Sequence, residues 1–147
     1  MTLPNVLEIK FNSNQIEKAF LETNYIVQIE NNPIVLKIGE TPNKLIQNFP
    51  QIKTWAFITA WNPLPDILAK SENDIRNNQL KVQLKQEGFI FYPGVGISKN
   101  EDWSEDSFFI ENIELVTANN ISLKYGQFAF LYGDKVNGNQ LIFTKNK

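Results

Sequence analysis

Apolar positions along this chain change their spacing from segment to segment, and each spacing predicts an element. Residues 12–23 read as a short helix, with Ile16, Ala19 and Phe20 along one side and Ser13 or Asn14 as a cap. From Tyr25 to Glu30 the pattern alternates, putting Tyr25, Val27 and Ile29 on one face of a strand. Asn31-Asn32-Pro33 turns the chain into a second strand, Ile34 to Ile38, so 25–38 reads as a hairpin. Pro42 sits in the first turn of a short helix over Asn43–Phe49. Trp55 to Trp61 is almost wholly apolar, as in a strand covered on both faces, and Asn62-Pro63 ends it.

Ser71, with Asp74 three residues on, reads as the capping box of the strongest helix, which Gly88 closes. A second apolar run, Phe89 to Tyr92, follows. Strand, helix and strand of these lengths predict a βαβ crossover with 55–61 and 89–92 parallel. Residues 93–106 read as a polar loop, Ser107–Ile113 as a strand, and 115–125 as a helix ending at Gly126. Gln127–Tyr132 and Gln140–Phe143 make a last pair, joined through Gly133-Asp134 and Asn137-Gly138. The expectation is one α/β (mixed α+β) domain over 1–147, with a mixed sheet of five to seven strands and three to four helices.

Composition narrows the function classes. At 147 residues, 42% hydrophobic, the chain suffices for one packed core. A formal charge of −2 with no basic stripe argues against DNA as a partner. There is no cysteine and no histidine, which removes disulfides, thiolate and Ser-His-Asp catalysis, and the usual zinc or haem ligands. Any catalysis has to use carboxylates, tyrosine, lysine, amides or magnesium on oxygen ligands; the cofactor is otherwise unknown. No apolar run is long enough to span a membrane, and MTLPNVLEIK lacks a signal-peptide core. A cytoplasmic location is the expectation.

Arg76 is the single arginine beside thirteen lysines. Lysine, asparagine and isoleucine are so common here that arginine looks traded for lysine wherever the swap is harmless. One that remains should do what lysine cannot: offer a flat fork of donors to a carboxylate, phosphate or amide. At 100° per residue, Asn73, Asn77, Leu80 and Leu84 fall on one stripe of the helix, amides above and leucines below, with Arg76 one step aside. A crossover would set this helix start beside the end of strand 55–61, gathering Thr59, Trp61 and Asn62. The positive end of the helix would favour an anion there. The competing reading is that the asparagines cap loops and Arg76 pairs with Glu72 or Asp106.

Trp103-Ser104-Glu105-Asp106-Ser107 is a second cluster. Glu105 is the acid nominated as general base or metal ligand, against the plainer reading of a solvated acidic loop. Trp103 reads as a lid or an exposed binding residue. Gly94-Val95-Gly96 is read as tight backbone rather than a phosphate loop, and Gln127 as a strand-edge amide within reach of the same pocket.

ITAWNP at 58–63, SENDIRNNQL at 71–80, WSEDSFFI at 103–110 and YGQFAFL at 125–131 together resemble a bacterial domain-of-unknown-function family, the one numbered 3293. The resemblance spans about 54–132. It implies a small intracellular domain with polar signature residues Asn62, Asn73, Arg76, Trp103, Glu105, Ser107 and Gln127. Asp106 stands where a second glutamate is expected, and Pro65 where a small hydroxyl residue is. The favoured function is a pocket for a small anionic, nucleotide- or phosphate-like ligand at the carboxyl end of strand 55–61 and the N-terminus of helix 71–87. Trp61, Asn62, Asn73, Arg76, Asn77, Trp103, Ser107 and Gln127 would hold the ligand, with Glu105 as its catalytic acid or base if there is a reaction. The alternative is a non-catalytic protein-interaction module whose polar network is structural. Whether the chain is an enzyme is left open by its sequence.

Overall fold

A computed structural model describes residues 13–63, 66–101 and 103–145. Expectations for 1–12, for Pro65 and for the side chains of 13–16 lie outside the described residues. In chain order the elements are α1 (Ser13–Leu21), β1 (Thr23–Ile29), β2 (Asn32–Leu36), α2 (Asn43–Asn48) and β3 (Thr54–Ile58). Then follow α3 (Lys70–Gln86), β4 (Phe91–Ser98), β5 (Ser104–Glu111), α4 (Leu115–Lys124), β6 (Ala129–Asp134) and β7 (Gly138–Phe143).

The seven strands form one curled sheet in the order β2-β1-β4-β5-β3-β6-β7, every pair antiparallel. This mixed α+β domain corrects the expected crossover in one respect. β3 and β4 do run the same way, but β5 lies between them and pairs antiparallel with both. Among the described strands there is therefore no parallel pair. A connection of helical length sets the direction of the returning strand; it does not say whether a later strand will fill the gap.

Side chains alternate across β3, so its two faces feed two cores. Trp55 and Phe57 join Tyr25, Val27, Ile29, Phe109 and Leu131 on one side, under Leu45 and Phe49 from α2 and its C-terminal end. Ala56 and Ile58 join Ile110, Phe130 and Tyr132 on the other, under Leu80 and Leu84 of α3 and Ala118 and Ile121 of α4. Each of these fully buried large side chains contributes roughly 1.5–3 kcal/mol of transfer free energy. The two ion pairs among the described residues, Lys18–Glu22 and Lys70–Asp74, are both exposed and add little.

Three further boundaries depart from the sequence reading. The β1–β2 turn is Glu30–Asn31, both at positive φ, so Asn32 and Pro33 already belong to β2. α3 begins at Lys70 behind Ala69 with no side-chain cap, so Ser71 is inside the helix rather than in a capping box. And 93–106, read as loop, holds the last six residues of β4 and the first three of β5. The curl brings the two ends of the sheet together: Gly39 N–H donates to the Asn139 carbonyl at 2.7 Å and Asn139 N–H to that of Glu40 at 3.0 Å.

Candidate functional site

β3 stops pairing with β5 at Ile58, and the chain must leave the sheet without stranding its backbone groups. Five side chains from three places receive it. Asn77, buried on α3, accepts from Ala60 N–H at 2.8 Å and donates to the Asp106 carbonyl at 2.8 Å. Its carboxamide thus stands in for a peptide unit where β3 and β5 separate, a role that needs a donor and an acceptor on one flat group. Thr59 Oγ1 donates to the same carbonyl at 2.6 Å and accepts from Trp61 N–H at 3.0 Å.

One turn earlier on α3, Asn73 accepts from Asn62 N–H at 2.8 Å and donates to Asn62 Oδ1 at 2.8 Å and to the Leu68 carbonyl at 3.3 Å. Asn62 sits at φ 41°, a left-handed conformation that asparagine tolerates better than most residues, and its Oδ1 also accepts from Leu68 N–H at 2.9 Å. Arg76 forks between two carbonyls: Nε donates to Ala60 at 2.7 Å, Nη2 to Tyr125. Gln127 donates to the Trp61 carbonyl at 3.1 Å and that of Tyr125 at 3.3 Å. Hence Ala60 N–H and C=O, Trp61 N–H and C=O, and Asn62 N–H are each met by a different side chain.

Gly126 completes the arrangement. It ends α4 at φ +69°, and a Cβ there would lie 2.8 Å from Pro63 Cβ. The left-handed turn and the close approach of Pro63 both require glycine. The end of α4, the end of β3 and the first half of α3 are thereby fastened at one point.

The stripe expected on α3 is present: Asn73, Asn77, Leu80 and Leu84 are its buried residues. Asn62, Asn73, Arg76, Asn77 and Gln127 converge, and Trp61 joins them through its backbone. The ion pair of Arg76 with Glu72 or Asp106 that the competing reading offered is absent, since carbonyl oxygens take the guanidinium. The remaining candidates lie elsewhere. Ser107 and Glu105 alternate with Asp106 and point to the opposite face of the sheet, that of Phe109 and Tyr25. Trp103, 44% exposed, borders the β4–β5 turn, where its N–H and C=O bond Ser98.

Glu105 faces Gly96 of β4, which in turn faces Tyr25 of β1. By surface area it is only partly buried, yet protein surrounds its carboxyl closely enough that desolvation pushes it up to about 7. Among the described residues this carboxyl has no hydrogen-bonding or cationic partner. Burial also raises the Tyr25 hydroxyl. Among the described residues no three carboxylates gather as a metal site, and no described helix is long and apolar enough to cross a membrane. Depressions on the described surface include two away from this region. One, about 320 Å³, lies where Lys37–Lys44 meets Asn139, and the other, about 260 Å³, lies beside Gly88–Ile90 and Glu111. Neither touches the convergent cluster.

The model of the family described as "Protein of unknown function (DUF3293)" matches residues 58–130, from the last residue of β3 into β6. The chain belongs to the DUF3293 family. The matched stretch opens at the separation of β3 from β5 and closes just past Gly126 and Gln127, so it holds the whole polar cluster. No curated protein and no solved structure matches. Sequence reasoning missed two participants, Thr59 as a backbone ligand and Gly126 as a packing residue. Thr59-Ala60 at a strand end and Tyr125-Gly126 at a helix end were the available signals.

Proposed function

We propose that this DUF3293 domain is a non-catalytic interaction module whose polar signature residues lock its fold. One observation carries the reading: every side chain of the convergent cluster is committed to backbone, and together they satisfy five successive polar groups of residues 60–62. An anion pocket needs donors free to turn to a ligand, and here Arg76 Nε and Nη2 already face carbonyl oxygens. Glu105, on the other face, has no hydrogen-bonding or cationic partner among the described residues with which to form a reacting constellation.

A thermal-shift screen against nucleotides, sugar phosphates and magnesium salts, with Arg76→Lys alongside, tests this. The expected result is no ligand-dependent shift in either protein and a midpoint several degrees lower in the variant. A ligand at about a hundred times its dissociation constant stabilises by about 2.7 kcal/mol. A shift of that size in the native protein, lost in Arg76→Lys, would establish the anion pocket instead.

A further inference from the structure

The two outer edges of the sheet are finished differently. In β2 the turn at Glu30–Asn31 directs Ile34 and Leu36 backbone groups to β1 and those of Pro33, Val35 and Lys37 outward. Pro33 has no N–H, and the Lys37 carbonyl accepts from Glu40 N–H and Asn139 Nδ2. That edge is blunted in the usual manner of sheet proteins.

On β7 the pairing of Thr144 N–H with the Phe128 carbonyl fixes the parity: even-numbered residues bond β6 and odd-numbered ones point outward. Asn139 is covered by the chain at Gly39–Glu40. Lys145 is covered by Asn119 of α4, whose carboxamide accepts from its N–H and donates to its C=O, both at 3.0 Å. Between these covers the outward N–H and C=O of Leu141 and Phe143 have no partner among the described residues. Apolar side chains flank this window. Val116 and Leu123 stand on α4 either side of Asn119, and Phe128, 38% exposed, meets Phe143 edge-on at 5.6 Å between ring centres.

We propose that the β7 edge from Gln140 to Thr144 receives a short extended segment of a partner protein, apolar at alternate positions, as an eighth strand. The covers define the occupant. With a rise of about 3.4 Å per residue, the span from Asn139 to Lys145 admits only about four or five residues. A second copy of β7 does not fit. The antiparallel register that sets Leu141 against Phe143 of the copy also sets Asn139 against Lys145 of the copy, where Gly39–Glu40 and Asn119 already occupy the space. A free segment can leave the edge at either cover; a strand fixed within this sheet cannot. The assignment deepens the interaction-module reading by giving it a surface, and it rests on that reading.

The test is amide exchange by NMR on the full chain, with blocked hexapeptides alternating valine with threonine, lysine or glutamate. Without peptide, Leu141 and Phe143 amides should exchange freely while Ile142 is protected. With peptide near 1 mM, exchange at both open amides should slow by about tenfold or more, and peptides N-methylated at alternate residues should have no effect. Leu141→Pro, which removes an outward N–H that no ladder bond to β6 uses, should abolish the protection at Phe143. No protection at 1 mM overturns the proposal, as does equal action of N-methylated peptides. Protection that grows with protein concentration alone overturns it in favour of self-pairing. Binding that protects another surface also overturns the edge assignment and leaves the interaction-module reading standing. That reading fails separately, through the small-ligand shift lost in Arg76→Lys.

Discussion

The two faces of the sheet bury polar side chains in opposite ways. Under α3, buried Asn73 and Asn77 and partly buried Arg76 and Gln127 are each engaged by a backbone group the strand ending would otherwise orphan. On the other face Glu105 is desolvated with no partner among the described residues, and its proton affinity rises instead. Saturation makes a polar group a fastener. Its absence makes the group titratable near neutral pH. The same contrast explains why single changes should cost much on one face and shift the pH dependence on the other.

Asn77→Asp should have the largest effect. It keeps the shape but turns the donor facing the Asp106 carbonyl into a second acceptor, burying either a charge or a misplaced proton. We expect a loss of about 3 kcal/mol or more by urea unfolding, with unchanged slope. Arg76→Lys comes next, at about 2–3 kcal/mol, because one ammonium cannot reach the Ala60 and Tyr125 carbonyls with the geometry of the fork. For a chain this long that is a fall of roughly 8 °C in the melting midpoint. A loss below half a kcal/mol in either variant would mean that the cluster does not fasten the fold.

Gly126→Ala probes the same junction without touching a hydrogen bond. The left-handed conformation costs an alanine about 1 kcal/mol, and contact with Pro63 adds to it, so roughly 1–2 kcal/mol is expected. Combined with Arg76→Lys, the two losses should fall short of their sum by about 0.5 kcal/mol or more, since both variants release the Tyr125–Gly126 corner. Strict additivity would show that α4 and β3 are fastened independently.

Much of this face was legible in the sequence. The four-three-four spacing of Asn73, Asn77, Leu80 and Leu84 gave the stripe, and a lone arginine among lysines marked a place where a planar fork matters. What those groups touch was not legible, because an asparagine aimed at a ligand and one aimed at a carbonyl look alike until the backbone is placed. The opposite face was misread for a clearer reason. Pro93, Gly94 and Gly96 are poor strand formers, so 93–98 read as loop. Yet Pro93 lies just past the last residue of β4 that pairs with β1, where its missing N–H is tolerated. A Cβ at Gly94 would meet the Phe57 ring at 2.7 Å, so packing demands the residue that propensity disfavours. With β4 read as loop, Glu105 could not be assigned to the face away from α3.

Glu105→Gln gives the smallest change and the one with opposite sign. In the folded protein the carboxyl holds its proton up to about 7, against an ordinary value of 4.5. Between those values the folded state binds more protons than the unfolded chain, so stability falls as pH rises from about 4.5 to about 7 and is level beyond. Residual solvent contact at Glu105 reduces the full linkage energy, leaving roughly 1–2 kcal/mol. Glutamine carries no charge to desolvate. The variant should therefore match the native protein at pH 4.5, exceed it by that amount at pH 8, and lose the slope between. An unchanged slope would mean that Glu105 is ionised at neutral pH by a partner, and the two faces would then bury their polar groups in the same way.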